Sequence, residues 1–288
     1  MPPKVITVAN QKGGTGKTTL TALLAYGLML NGYKVLLLDL DPQSHLSSFF
    51  IKINEIERIE DGTLELAGGR HFKIREIDFD VESDGKVGLV PSGINYIIEM
   101  YRGKMPAWDP HAIYRRIATE PHINSYYDYV ICDTPPELFS PTIWGLYCAD
   151  YLIIPTNLEE LSLAGIKILL KEIFPDVVMV SKKELKILGV CVVNITKKYS
   201  TGSIGKIEQS FIKFVKQLPS TIYNRIYKKP FFNTMIHVYN ELRDLTYRPR
   251  RWEIPLGRVI DNNKELRNEV LNLAMEVKNR IERFEGII

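Results

Sequence analysis

Ala9-Asn10-Gln11-Lys12-Gly13-Gly14-Thr15-Gly16-Lys17-Thr18-Thr19 is the stretch on which the reading of this chain turns. It lies between an apolar run of strand length, Val5 to Ala9, and a stretch with helical spacing, Lys17 to Asn31. A glycine-rich turn placed there lets successive backbone N–H groups point at one spot. The helix that follows adds the positive end of its dipole at the same place. Strand, glycine turn, Lys-Thr and helix together predict a phosphate-binding loop in which Gly13, Gly14, Thr15, Gly16, Lys17, Thr18 and Thr19 surround the phosphates. Lys17 is placed to bring charge to the β- and γ-phosphates, and the Thr18 hydroxyl to hold Mg²⁺.

Outward from that loop, short β-rich runs alternate with longer amphipathic stretches. This pattern predicts an α/β fold: a mostly parallel, twisted sheet with helices on both faces, P-loop NTPase-like. Strands are expected near Val5 to Ala9, Val35 to Asp39, Lys86 to Val90, Tyr129 to Cys132, Tyr151 to Pro155 and Ile187 to Asn194, with a further one near Ser220 to Ile226. Helices are expected over Lys17 to Asn31, Gly93 to Tyr101, His111 to Thr119, Leu138 to Cys148, Ser162 to Phe174, Ser203 to Gln217 and Lys264 to Arg283. Residues 1–288 read as one domain. Lys52 to Lys86 is polar and weakly periodic, an insertion or a small hairpin outside the main sheet, and Phe231 to Arg258 is broken by Pro249 and Pro255.

Ligands of open α/β sheets sit beyond the carboxyl ends of the strands. Two predicted strands end in carboxylates there. Asp39-Leu40-Asp41-Pro42-Gln43 places two of them two residues apart, on one side of an extended chain. Tyr129-Val130-Ile131-Cys132-Asp133-Thr134-Pro135-Pro136 is an apolar strand ending in Asp133, a Walker B pattern whose carboxylate suits a partly hydrated Mg²⁺.

Composition is that of an ordinary globular protein, with 45% hydrophobic and 25% charged residues in 288. Cys132, Cys148 and Cys191 are too widely spaced for a disulfide framework or a metal cluster, so they read as core thiols in a reducing, cytoplasmic setting. Met1-Pro2-Pro3-Lys4 has no signal-peptide pattern, and no apolar run approaches the ~20 residues a bilayer span needs.

The loop departs from the ordinary G-x-x-x-x-G-K-[ST] pattern: it is compressed, and a second lysine, Lys12, stands at its start. In this deviant Walker A form the sequence resembles the ParA/MinD family of ATPases, most closely the ParA-type partition ATPases. Asp39-Leu40-Asp41-Pro42-Gln43, Asp133-Thr134-Pro135-Pro136, Leu89-Val90-Pro91-Ser92 and Ala149-Asp150-Tyr151 fall in family order, so the resemblance covers nearly the whole chain. It implies an ATPase using ATP and Mg²⁺, with Lys12 reaching the partner's nucleotide across a homodimer. Asp41 would position the attacking water, Asp133 would support the metal with Thr18, and Asp39 would support the Mg²⁺ shell or the P-loop lysines. Lys12, Lys17 and Asp41 are thus the expected catalytic residues. The resemblance further implies nonspecific double-stranded DNA and a centromere-binding, ParB-like adaptor as partners, and a nucleoid-associated location. Where the family carries its adenine-contacting loop, this chain has Ile236-His237-Val238-Tyr239, which departs from the pattern.

The formal charge of +3 conceals an uneven distribution. Lys182 to Arg258 holds sixteen lysines and arginines against five acidic residues, a net of +11, which leaves −8 for the remainder. Within it, Lys197, Lys198, Arg248, Arg250 and Arg251 stand beside Tyr199 and Trp252, a composition suited to phosphate-backbone contact without base reading. A MinD-like membrane-associated positioning ATPase is the alternative. It would use the last helix, but there the basic residues are balanced by acidic ones, and the apolar stripe Leu266, Val270, Leu273, Val277, Ile281 and Phe284 is expected to pack in the core.

Overall fold

The computed structural model describes residues 2–102, 109–137, 140–181, 183–196, 201–242 and 256–288. Its centre is an eight-stranded sheet in the order β3-β4-β2-β5-β1-β6-β7-β8. The strands are β1 (Lys4–Val8), β2 (Lys34–Asp39), β3 (Arg75–Ile77), β4 (Lys86–Val90), β5 (Tyr129–Asp133), β6 (Tyr151–Thr156), β7 (Lys186–Ile195) and β8 (Ile236–His237). Every pairing is parallel except β3 with β4.

Alternation along the strands sorts the core into layers. Val35 and Leu37 of β2 and Ile131 of β5 face one side, where helix α1 (Lys17–Leu30) packs with the last helix, Lys264–Phe284. Leu36, Leu38, Val130 and Cys132 face the other, against helices Ala112–Thr119 and Ser140–Cys148. Both faces are covered, which is why the strands read as near-continuous apolar runs. All three cysteines are buried and free, with the Cys132 and Cys148 sulfurs 3.8 Å apart.

Two expectations change. Ser220–Tyr223 is one helical turn after Pro219 and not a strand; Ile226 alone bridges to Ile187 of β7. Pro219 fixes the entry to that turn, and the four-residue spacing of Ile222 and Ile226 suits one face of a helix or of a strand alike, so periodicity does not separate the two. The segment read as lying outside the main sheet adds β3 to it, antiparallel at the edge, after short helices at Ile53–Ile56 and Thr63–Ala67. An antiparallel edge strand needs no crossover helix, so it leaves little periodic signal.

Candidate nucleotide site

The ends of three adjacent strands are level. Val8 of β1 and Asp39 of β2 both pair with Asp133 of β5, so the loop after β1 and both carboxylate-bearing ends open on one place. A cavity of about 550 Å³ lies there, lined by Gly13 to Thr19, Asp41, His45, Phe49, Pro136, Asn194, Val238, Tyr239 and Leu242.

The loop is built for close approach. Gly14 and Gly16 have φ of 74° and 85°, in the left-handed region, and nothing lies within 4 Å of a Cβ placed on Gly13 or Gly14. That open cradle, at the start of α1, suits phosphate oxygens. Asn10 braces it, donating from Nδ2 to the Pro155 carbonyl of β6 at 2.7 Å and accepting from the Lys12 amide at 3.3 Å. The Lys17 ammonium is buried and donates to the Lys12 carbonyl at 3.1 Å. Burial lowers its pKa, while Asp133, Asp41 and Glu137 oppose that shift.

Thr18 donates its hydroxyl to Asp133 at 2.8 Å. Burial pushes the Asp133 carboxyl up to about 7, against the Thr18 and Thr21 hydroxyls and Lys17, which lower it; Asp41 adds to the rise. A hydroxyl and an under-compensated carboxylate form a hard-oxygen pair that suits Mg²⁺. Among the described residues no group of three or more His, Cys, Asp or Glu side chains could hold a metal by itself.

Asp39, at the end of β2, is tied into the loop that follows it. It is fully buried, accepts the Ser47 amide and hydroxyl at 2.7 and 2.6 Å and the Asp41 amide at 3.1 Å, and does not line the cavity. Burial, with Asp133 and Asp41 nearby, raises its pKa well above the carboxylate range. Its oxygens hold the loop from Asp41 to Ser47, so it braces Asp41; like Asp133 it lies behind the cavity lining. Asp41, by contrast, faces the cavity. The Lys12 ammonium is paired to Glu159, which Lys12 holds below the usual glutamate value. Lys197, Lys198, Arg248, Arg250 and Arg251 lie outside the described residues.

Sequence reading missed Ser47, His45, Phe49 and Asn194. Only Asn194 left a signal: a polar residue near the end of an apolar strand, which takes φ of 58° in β7. The departing segment Ile236 to Tyr239 does reach the cavity, through Val238 and Tyr239.

A glycine cradle at a helix start, with Lys-Thr below it and an Asp ending the next strand, defines a P-loop ATPase. Residues 3–187 match the family model described as AAA domain. The chain belongs to that family, and its deviant Walker A loop resembles that of the ParA/MinD ATPases. An uncharacterized protein of Methanocaldococcus jannaschii is 32% identical over 215 residues, 74% of this chain and 80% of the relative. The fold is that of pNOB8 ParA, with a TM-score of 0.85 at 22% identity over 98% of this chain and 99% of that one. Against pNOB8 ParA bound to nonspecific DNA the TM-score is 0.81 at 23% identity, with the same coverage. Cobyrinic acid a,c-diamide synthase from Mycobacterium smegmatis, with bound ADP and magnesium, is similar over 73% of this chain and 82% of that one, at 28% identity and TM-score 0.59.

Proposed function

We propose that this chain is a DNA partition ATPase: with ATP and Mg²⁺ bound it closes with a second copy into an ATP-sandwich dimer, holds nonspecific double-stranded DNA, and releases it after hydrolysis stimulated by a centromere-binding adaptor. The observation that carries the reading is the level convergence of Val8, Asp133 and Asp39 beneath one glycine cradle. Magnesium would be held by Thr18 and Asp133, where it would neutralise charge on the phosphates. Within the chain, Lys17 and the loop amides bind the phosphates, Asp41 orients the attacking water, and Lys12 leaves Glu159 to cross the dimer interface. Such a switch needs only slow intrinsic turnover.

DNA as partner is supported by the +11 segment and by the kinship in fold to a ParA bound to nonspecific DNA. Lys206 and Lys213, seven residues apart on helix Thr201–Val215, and Lys216 just beyond it are exposed on one side, which adds a described basic face. Nucleoid association follows from DNA binding. The membrane-docking alternative loses its surface, because Leu266, Val270, Leu273, Val277 and Ile281 of the last helix are buried against the sheet and α1. Among the described residues no helix is long and apolar enough to cross a membrane.

DNA binding measured with ATP, ADP and a nonhydrolysable analogue at two salt concentrations tests the switch: tight, salt-sensitive binding is expected with ATP and the analogue only. Binding independent of nucleotide overturns it. Asp41→Ala is expected to keep ATP binding and dimerisation and to abolish phosphate release, and unchanged hydrolysis would remove Asp41 from its role.

A further inference from the structure

We infer that His45 is the positioning residue that fixes the Asp41 carboxylate for hydrolysis. The inference rests on the reading of Asp41 as the group that orients water. The last torsion of an aspartate is soft, so its carboxylate plane is set by whatever bonds to it. Asp41 has two such bonds. Oδ1 accepts the Gln43 amide at 2.9 Å, and Oδ2 lies 2.8 Å from His45 Nδ1. A carboxylate only accepts, so Nδ1 carries the proton in this contact. One donor is backbone and the other a side chain, and the pair clamps the two oxygens in one orientation.

The loop geometry delivers His45 to that position. The Ser44 amide bonds the Asp41 carbonyl at 2.8 Å and Ser44 takes φ of 56°, which turns the chain back on itself. The Ser48 hydroxyl then donates to the His45 carbonyl at 2.7 Å and pins the backbone beneath the ring. The His45 side chain is 61% exposed while that of Asp41 is 4% exposed, so the ring adds little to the core. It bonds Asp41, and both line the cavity with Lys17 and Thr18. Exposure argues against a packing role and the contact argues for control of the carboxylate. The histidine stands two residues beyond the Asp-Pro-Gln string that carries the family resemblance.

The asparagine Nδ2–H can occupy the place of the imidazole Nδ1–H, which separates orientation from packing. Expected for the full chain, in single-turnover ATP hydrolysis with nucleotide affinity measured separately by a fluorescent ATP analogue, is a loss of about 10- to 100-fold in rate for His45→Ala, the scale of a misplaced reacting group. Nucleotide affinity and ATP-driven dimerisation should stay within about twofold, and His45→Asn should recover most of the rate. The proposal is overturned if His45→Ala hydrolyses at the parent rate while Asp41→Ala is dead. It is also overturned if His45→Asn is as slow as His45→Ala, or if the whole loss lies in ATP affinity. Hydrolysis at the parent rate by Asp41→Ala fails the water-orienting reading itself, and that result is distinguishable because it does not involve His45.

Discussion

Gly16 meets two constraints at one residue. Its φ of 85° is left-handed, and a Cβ there would stand 2.5 Å from Cγ1 of Val193. The left-handed backbone costs a side chain roughly 1–2 kcal/mol, and the overlap costs about 1–3 kcal/mol more. Gly16→Ala is therefore expected to lower thermal stability and to weaken nucleotide binding about tenfold or more, measured by melting and by isothermal titration. The glycine itself was legible in the loop pattern. The reason for it was not, because Val193 comes from β7, far along the chain. Asp39 and Asp41 show the same limit. Their spacing marked a site, but it could not show that Ser47 occupies one carboxylate and leaves the other to the cavity. Lys12 carries a separate expectation: Lys12→Ala should retain nucleotide and lose the ATP-driven dimer in light scattering, whereas a stable dimer would contradict its cross-interface role.

At the scale of elements, the last helix holds the second half of the molecule to the first. Gly27 of α1 lets it approach closely, since a Cβ there would lie 2.7 Å from the Val270 carbonyl and 2.9 Å from Ala274 Cβ. Further along, Arg280 is buried and makes five hydrogen bonds, to the carbonyls of Leu188, Lys229 and Phe231 and twice to Glu276. Glu276 in turn accepts the Asn233 and Thr234 amides at 2.9 Å each. This pair fastens the segment that runs on to Val238 and Tyr239 at the cavity. Burial pushes the Glu276 carboxyl up, but those amides and Arg280 outweigh it and hold it below its ordinary value. The stability it supplies is complete above the unfolded value of about 4.5 and is lost as pH falls through the lower native one. Glu276→Gln is expected to cost about 3 kcal/mol at neutral pH by leaving Arg280 without its counter-charge. In urea unfolding that difference should shrink as pH drops below about 4.5; a difference constant down to pH 3 would assign the loss to the amide bonds alone. The sequence showed the apolar stripe of this helix because periodicity is local. It hid the Arg280 network, whose partners are backbone carbonyls that any residue offers.

For the whole molecule, charge is segregated along the chain: the strands that build the nucleotide site lie mostly in the acidic part, and the +11 segment follows. Several of its basic groups are spoken for by the fold. Lys183 pairs with Asp150 and Arg258 with Asp80, and Arg225 donates to the Thr221 and Leu185 carbonyls. Composition could count these charges but could not separate those consumed inside the protein from those left outward, such as Lys206, Lys213 and Lys216. The distinction is measurable, because each lysine or arginine that neutralises a DNA phosphate displaces a counterion. The logarithm of the binding constant then falls against the logarithm of salt concentration with a slope of about −0.9 per contact. Replacing Arg248, Arg250 and Arg251 together by alanine should shallow that slope by about 3 if all three meet phosphates, and should weaken binding alike on unrelated DNA sequences. The Lys183→Ala slope should match the parent's, since its charge is already matched by Asp150. A triple variant with the parent slope would move the DNA surface to the lysine face of helix Thr201–Val215, where Lys206→Ala and Lys213→Ala should then shallow the slope by about 1 each.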